Sequence, residues 1–190
     1  MRHLLSVLIL LPFLLAASQA KEPAFELSDI SGKVHTPFAD PRTRAVVLVF
    51  ITKDCPIANY FQPTLQRLEA SYKDKGIIFY LIHSDPDTTQ ATAGTHAKEY
   101  AITAPVIVDP RQKLAKEFEA EWTPEAVVIL PDRKTTFRGR IDDTYADYGK
   151  KRPRPTRNDL KEAIDAVLAG KIPDHPVTSK PVGCPIYFPK

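Results

Sequence analysis

The chain has 190 residues, two cysteines and a formal net charge of +3. This length is enough for one domain with a proper core, and a small disulfide-stapled scaffold is excluded because one bridge cannot replace a core. A charge so near neutrality gives no indication of binding to nucleic acid or to anionic membranes.

The first twenty residues have the pattern of a secretory signal peptide. A basic start at Arg2 precedes an apolar run over residues 4–15, and small residues end the segment at Ala20. We therefore expect residues 1–20 to be removed and the protein to be periplasmic or secreted, with no membrane span in the remaining chain. Disulfide bonds persist in those compartments.

Strand and helix patterns alternate along residues 21–170, which we predict to be the folded domain. Continuous apolar runs predict buried strands, and apolar spacings of three and four residues predict helices. In chain order the predicted elements are strand 45–51, a helix carrying Ala58, Phe61, Leu65, Leu68 and Tyr72, strand 77–82, helix 88–100, strand 104–108, a helix opened by Asp109-Pro110, a hairpin of strands 126–130 and 135–140, and a last helix with a capping pair at Thr156 and Asp159. Parallel βαβ units followed by a hairpin and a covering helix predict an α/β sandwich around a mixed sheet.

Residues 171–190 form a proline-rich segment that carries the second cysteine, Cys184. Its composition predicts an extended tail laid on the surface of the domain. An extended chain of this length spans tens of ångströms. The tail can therefore reach back across the edge of the sheet.

Cys55 lies between the first predicted strand and the helix that follows it. In α/β proteins, ligands and catalytic groups gather outside the carboxyl ends of the parallel strands. The free N–H groups and partial positive charge of a helix N-terminus favour thiolate over thiol. A buried structural cysteine is the alternative, because free cysteines are often buried. The position at a helix start favours a reactive cysteine.

Two polar residues are predicted to share the sheet edge with Cys55. His83 follows the second parallel strand, either as a residue that tunes the thiol and contacts substrate or as an ordinary polar strand end. Arg140 ends the hairpin, which returns to the same edge, and it either binds substrate or joins an ion-pair network. Both are candidate substrate-binding residues.

The strand 46–51 followed by Cys55-Pro56-Ile57-Ala58 resembles the thioredoxin superfamily, in its redoxin or thiol-specific-antioxidant, peroxiredoxin-like branch. Pro63 matches the proline that kinks the family's active-site helix. Thr123-Pro124 resembles the family's cis-proline loop, which faces the reactive sulfur. The resemblance covers roughly residues 24–170 and implies a thioredoxin-like three-layer sandwich, with a central mixed sheet flanked by helices.

The sequence departs from the family's motifs in two places. Ala58 replaces the second cysteine of thioredoxins, so Cys184 is the only internal thiol that could resolve an oxidised Cys55. Thr52 matches the threonine three residues before the peroxidatic cysteine of peroxiredoxins, whereas Leu48 replaces the proline expected seven residues before it.

Together with the signal-peptide pattern, the resemblance implies an exported thiol–disulfide redox protein, which would act as a thiol–disulfide oxidoreductase. Cys55 would attack the substrate, Cys184 would resolve the product, and Thr52 would hydrogen-bond the sulfur. Thr123 and Pro124 would present backbone to the substrate, which is a protein disulfide, a small-molecule disulfide or a peroxide. We expect a redox partner protein and neither a cofactor nor a metal.

Three other functions stay open at this point. The first is a peroxiredoxin-like thiol peroxidase, and the second is a non-catalytic binding module whose Cys55–Cys184 bridge staples the tail. The third is a copper carrier with a site made of those cysteines and His83, since cysteine and histidine are copper ligands. The histidines show no ligand spacing and the only methionine is Met1, so the sequence favours the redox hypothesis.

Overall fold

The computed structural model describes residues 24–189, and the expected signal peptide at residues 1–20 lies outside this range. In chain order the elements are β1 (Leu27–Ser28), β2 (Val34–His35), β3 (Ala45–Ile51), α1 (Pro56–Tyr72), β4 (Ile77–His83), α2 (Gln90–Glu99), β5 (Val106–Val108), α3 (Lys113–Glu117), β6 (Trp122–Thr123), β7 (Glu125–Ile129), β8 (Thr135–Gly139), β9 (Tyr145–Asp147), β10 (Lys150–Lys151), α4 (Asp159–Leu168), β11 (Val177–Thr178) and β12 (Cys184–Pro185). Short 3-10 turns occupy Pro37–Ala39 and Lys73–Lys75. None of the helices within the described range is long and apolar enough to cross a membrane.

A six-stranded mixed sheet forms the centre of the described chain, in the order β11-β8-β7-β3-β4-β5. β3 is parallel to β4 and β4 to β5, whereas β7 is antiparallel to both β3 and β8. Ile51 lies opposite His83 and Phe50 opposite Glu125, so the ends of β3 and β4 meet the start of β7 at one edge. With helices on its faces, this sheet confirms the predicted α/β sandwich.

The side chains of β3 divide the core into two layers. All seven residues of the strand are buried. Val47, Val49 and Ile51 join the layer under α1 and α4, whereas Leu48 and Phe50 join the layer that α3 and the N-terminal segment cover. Successive side chains of a strand point to opposite faces. A strand covered on both faces therefore needs the continuous apolar sequence that predicted it.

The helix predicted to open at Asp109-Pro110 starts later in the structure. α3 begins at Lys113, with Gln112 at the cap position in a left-handed conformation. The Asp109 carboxylate still serves the helix, because it accepts backbone N–H groups of the first turn.

Two further helix starts differ from their predictions. α2 begins at Gln90 rather than at residue 88, because the Thr89 hydroxyl caps it by accepting a backbone N–H of the first turn. The predicted capping pair of α4 is wrong. Thr156 instead donates its backbone N–H and its hydroxyl to the carboxylate of Asp143, and Asn158 holds the cap position without a side-chain bond. The partner of Thr156 is therefore a residue distant in the sequence, Asp143, and not the neighbouring Asp159.

Two short strands attach the tail, residues 171–190, to the domain. β11 adds to the edge of the main sheet, parallel to β8. β12 pairs with β6 in antiparallel register, with Cys184 opposite Thr123. Ile186 and Phe188 then pack against the second layer of the core. The tail thereby returns to the loop that precedes β7.

Candidate active site

Cys55 is the N-cap residue of α1, at the edge where β3 ends. Its sulfur accepts the N–H of Ala58 at 3.4 Å, and its thiol donates to the carbonyl oxygen of Thr123 at 3.1 Å. Pro56 takes the first helical position, where a missing N–H is tolerated because the helix offers that N–H no acceptor. The thiol therefore lies between a helix N-terminus, which stabilises a negative charge, and a carbonyl that holds its proton.

The loop that faces the thiol runs from β6 into β7. Its Thr123–Pro124 peptide is cis, as the resemblance predicts. A carboxylate oxygen of Glu125 accepts the backbone N–H of Glu121 at 2.7 Å and of Trp122 at 3.1 Å. Burial raises the pKa of Glu125, and these bonds oppose the rise. Glu125 holds the loop and was missed from the sequence, although a carboxylate opening an apolar strand is a usable signal.

Cys184 lies beside the first thiol, on the tail strand that pairs with the cis-proline loop. β12 places it opposite Thr123, whose hydroxyl donates to the Cys184 carbonyl oxygen at 3.2 Å. Both cysteines are free thiols. Burial raises the pKa of Cys184 to about 11, the neighbouring Cys55 thiol adds to the rise, and Tyr148 opposes it. The Tyr148 hydroxyl lies 3.7 Å from the Cys184 sulfur. Cys184 is therefore protonated at neutral pH, and the Tyr148 hydroxyl is a polar neighbour able to stabilise its thiolate.

Thr52 and Arg140 do not make the contacts expected of them. Within residues 24–189 the Thr52 hydroxyl forms no bond to the sulfur, because the Thr123 carbonyl takes that place; the Thr52 carbonyl accepts the Cys55 N–H at 3.3 Å. Thr52 instead lines, with Thr123, a cavity of about 150 Å³. The Arg140 Nε donates to Asp159 at 2.9 Å, at the start of α4. Arg140 thus forms an ion pair, which was the alternative to substrate binding in the sequence-based prediction.

His83 is fully buried at the end of β4. Neither of its ring nitrogens has a hydrogen-bond partner among residues 24–189, and its ring meets that of His96 edge-on with centroids 5.0 Å apart. The His96 Nε2 in turn lies 2.8 Å from the Asn59 side-chain oxygen on α1. Burial lowers the pKa of His83 to about 4; His96 and Lys53 lower it further, whereas Asp85 opposes them. His83 is a neutral core residue without surface for a substrate.

Acid is expected to destabilise the protein through His83. Its pKa is about 4 in the folded state and about 6.5 in an unfolded chain, so its contribution to stability is present above pH 6.5 and is lost as the pH falls to 4. The loss in unfolding free energy is on the order of 3 kcal/mol. Urea unfolding at pH 7, 5.5 and 4 measures it.

The matched variant for this measurement is His83→Leu, which removes the titration and suits apolar surroundings. Its acid dependence should be weaker than that of the wild type, with a remainder from His96, whose pKa burial also lowers. Parallel profiles for the two proteins would contradict the assignment to His83.

No three His, Cys, Asp or Glu side chains in the described chain gather into a group that could hold a metal ion. Cys55, Cys184 and His83 therefore do not form the copper site considered above. The physical reason is that His83 is enclosed in the core against His96. The copper site predicted from these three residues is therefore not formed within residues 24–189.

Comparison with known proteins places the chain in a family. The model of the AhpC/TSA family matches residues 19–138. An uncharacterised conserved protein from Geobacillus kaustophilus is similar at 28% identity and a TM-score of 0.70, over 88% of this chain and 89% of that one. A hypothetical protein from Sinorhizobium meliloti is similar at 26% identity and a TM-score of 0.66, over 86% of this chain and 90% of that one. No curated protein matches the chain.

A third similar structure is described as a secreted disulfide oxidoreductase from Mycobacterium tuberculosis. It shares 16% identity with a TM-score of 0.51, over 77% of this chain and 96% of that one, and the likeness concerns the fold alone. The family match covers more than half of the chain and includes both Cys55 and the cis-proline loop. The chain therefore belongs to the AhpC/TSA family and is a redoxin with a thioredoxin-like fold.

Proposed function

We propose that the protein is an exported thiol–disulfide oxidoreductase, with Cys55 as the nucleophile and Cys184 as the resolving thiol. The observation that carries the proposal is the meeting of two free thiols at Thr123: Cys55 donates to its carbonyl oxygen, and Cys184 is its partner in β12. Export is supported by the signal-peptide pattern of residues 1–20.

The reaction takes two thiol–disulfide exchanges. The Cys55 thiolate attacks one sulfur of the substrate disulfide, which forms a mixed disulfide and releases the other sulfur as a thiolate. The Cys184 thiolate then attacks the Cys55 sulfur, which closes the Cys55–Cys184 disulfide and releases the second substrate thiolate. The substrate gains the two electrons that the cysteines lose. A partner protein with a dithiol returns them by the reverse exchanges.

The surrounding residues have distinct parts in this scheme. The N-terminus of α1 stabilises the Cys55 thiolate. The backbone of Thr123 and Pro124 faces the incoming sulfur, as the family resemblance implies. The Tyr148 hydroxyl, 3.7 Å from the Cys184 sulfur, donates a hydrogen bond to the thiolate that forms there in the second step.

A thiol peroxidase is the second candidate, because Cys55 is fully buried and a cavity of about 150 Å³ is lined by Thr52 and Thr123, the two residues whose carbonyl oxygens accept hydrogen bonds from Cys55. Such a site admits a small oxidant more readily than a protein. The thiolate would attack the O–O bond, giving a sulfenic acid and releasing water or an alcohol. Cys184 would then condense with the sulfenic acid, forming the same disulfide with loss of water.

Oxidation is expected to join Cys55 and Cys184 within one molecule. Non-reducing mass spectrometry of the full chain, treated with oxidised glutathione or with hydrogen peroxide, should show a monomer lighter by two hydrogens and a linked pair of cysteine peptides. The bridge closes a loop of over a hundred residues and should stabilise the oxidised protein by up to about 4–5 kcal/mol.

Two variants separate the roles of the thiols in that experiment. Cys184→Ser should stop at a Cys55–glutathione disulfide and, with peroxide, at over-oxidised Cys55. Cys55→Ser should not form the internal disulfide and should turn over neither oxidant. The relative rates of the wild type with glutathione disulfide and with peroxide decide between the two candidate activities. Two free thiols in the wild type after full oxidation would contradict both activities and would leave the tail as packing on the domain.

A further inference from the structure

The last strand of the tail, β12, lies against the cis-proline loop as an added strand. Cys184 and Pro185 oppose Thr123 and Trp122 in antiparallel register. The N–H of Ile186 donates to the Glu121 carbonyl oxygen at 2.7 Å, beyond the paired residues. These are main-chain interactions, which an extended segment of another protein can make equally well, as in recognition by strand addition.

Gly183 precedes this strand and touches the loop more closely than any other residue type could. A Cβ atom there would overlap the Thr123 carbonyl oxygen and would lie 2.7 Å from the Thr123 carbonyl carbon and 3.1 Å from the Pro124 Cδ. Contacts of this length to a carbonyl carbon are prohibitive, and the neighbour is backbone that cannot move aside. The groove therefore accepts only glycine directly before the cysteine.

The same strand covers the nucleophile. Cys55 has no exposed surface, and Val182 and Cys184 pack against the core layer that contains it. A cysteine of another protein reaches Cys55 only after the tail strand has left. The tail is anchored nearby, since the Ser179 N–H donates to the Arg138 carbonyl oxygen at 3.1 Å. Because this tether is short, the effective concentration of the strand at the cis-proline loop is about millimolar or higher, as for other short linkers.

We propose that the groove along Trp122–Thr123 docks an extended, cysteine-bearing segment of a partner protein with glycine directly before the cysteine, and that the chain's own strand, Gly183–Ile186, is the built-in competitor which that segment displaces. The inference rests on the proposed function for what happens after docking, when Cys55 attacks the partner's disulfide. It assigns the substrate class as Gly-Cys segments in extended conformation.

The test is binding of a labelled synthetic peptide to the reduced full chain, followed by fluorescence anisotropy. The peptide copies residues 180–188 with serine in place of the cysteine, so that no disulfide can form. Gly183→Ala places a methyl group against Thr123 and should release the tail strand. This variant is expected to bind the peptide about tenfold more tightly or better than the wild type, because the tethered competitor is gone.

Two controls make the result specific. Lys180→Ala changes an exposed side chain of the same tail and should bind the peptide as weakly as the wild type. A second peptide, with alanine in place of the glycine, should bind to none of the proteins. If Gly183→Ala does not fold, Ile186→Ser loosens the same strand from its other end and should give the same gain.

Equal binding of the two peptides, or no gain in either variant, would overturn the proposal. A wild-type dimer linked by Cys55 of one copy and Cys184 of another would assign the groove to a second copy and would also overturn it. No thiol reacts in the peptide assay. Its failure therefore leaves the Cys55–Cys184 disulfide test unaffected, and absence of that disulfide would leave peptide binding unaffected.

Discussion

Alkylation of Cys184 in the reduced protein is expected to accelerate about tenfold with each pH unit from pH 7 to pH 10, because only the thiolate reacts and its fraction rises tenfold per unit below the pKa. Burial raises the pKa of Cys184 to about 11, so no plateau should appear in this range. A free cysteine, with a pKa of about 8.5, levels off near pH 9. Quenched reaction with iodoacetamide and mass analysis of the Cys184 peptide measure the rate.

Tyr148→Phe is the matched variant for this measurement. The Tyr148 hydroxyl opposes the rise in the pKa of Cys184, and its loss should slow the alkylation of Cys184 at every pH in the range. The alkylation rate of free cysteine, measured at each pH, serves as the reference. A rate for Cys184 that levels off near pH 9 would show that the thiol is not held in the buried position beside the cis-proline loop.

The rate at which the Cys55–Cys184 disulfide closes should depend on pH in the same way, because Cys184 must be deprotonated before it can attack. A thiol with so high a pKa is a poor nucleophile at neutral pH but a strong one once deprotonated. Under the proposed function, the second exchange, attack by Cys184, is therefore slow at neutral pH. A substrate bound as a mixed disulfide would persist until a base or the Tyr148 hydroxyl assists the resolving thiol.

Glu125→Ala is expected to lower the unfolding free energy by roughly 2–5 kcal/mol, because two backbone N–H groups, those of Glu121 and Trp122, lose their buried acceptor. The loss falls on β6, which carries Thr123 and thereby positions both thiols. Formation of the internal disulfide should slow together with the loss of stability. Chemical unfolding and the rate of disulfide formation measure the two effects.

Glu125→Gln is the conservative control, since its side-chain oxygen can still accept from the loop. It should recover most of the stability and most of the rate of disulfide formation. A Glu125→Ala protein whose stability lies within about 0.5 kcal/mol of the wild type, the range of ordinary surface changes, would contradict the positioning role.

Several features of the molecule follow from local sequence alone. The seven apolar residues 45–51 predict the central strand, because only a strand covered on both faces tolerates them without polar interruption. Cys55 before Pro56 predicts a helix start at the strand end, and the structure has the cysteine as N-cap. The cis peptide before Pro124 was expected from the family resemblance. These depend on neighbours within a few residues or on a motif.

The tertiary structure decided what surrounds Cys55. The burial of Cys55, the pairing of Cys184 with Thr123 and the enclosure of His83 all depend on segments far apart in the chain. Thr156 likewise donates its hydrogen bonds to Asp143 and does not cap the helix as its sequence position predicts. Hydrophobic periodicity and capping patterns depend on interactions between residues that are close in the sequence. Strand register and close contacts, such as that of Gly183 with the loop, are set instead by packing between distant segments.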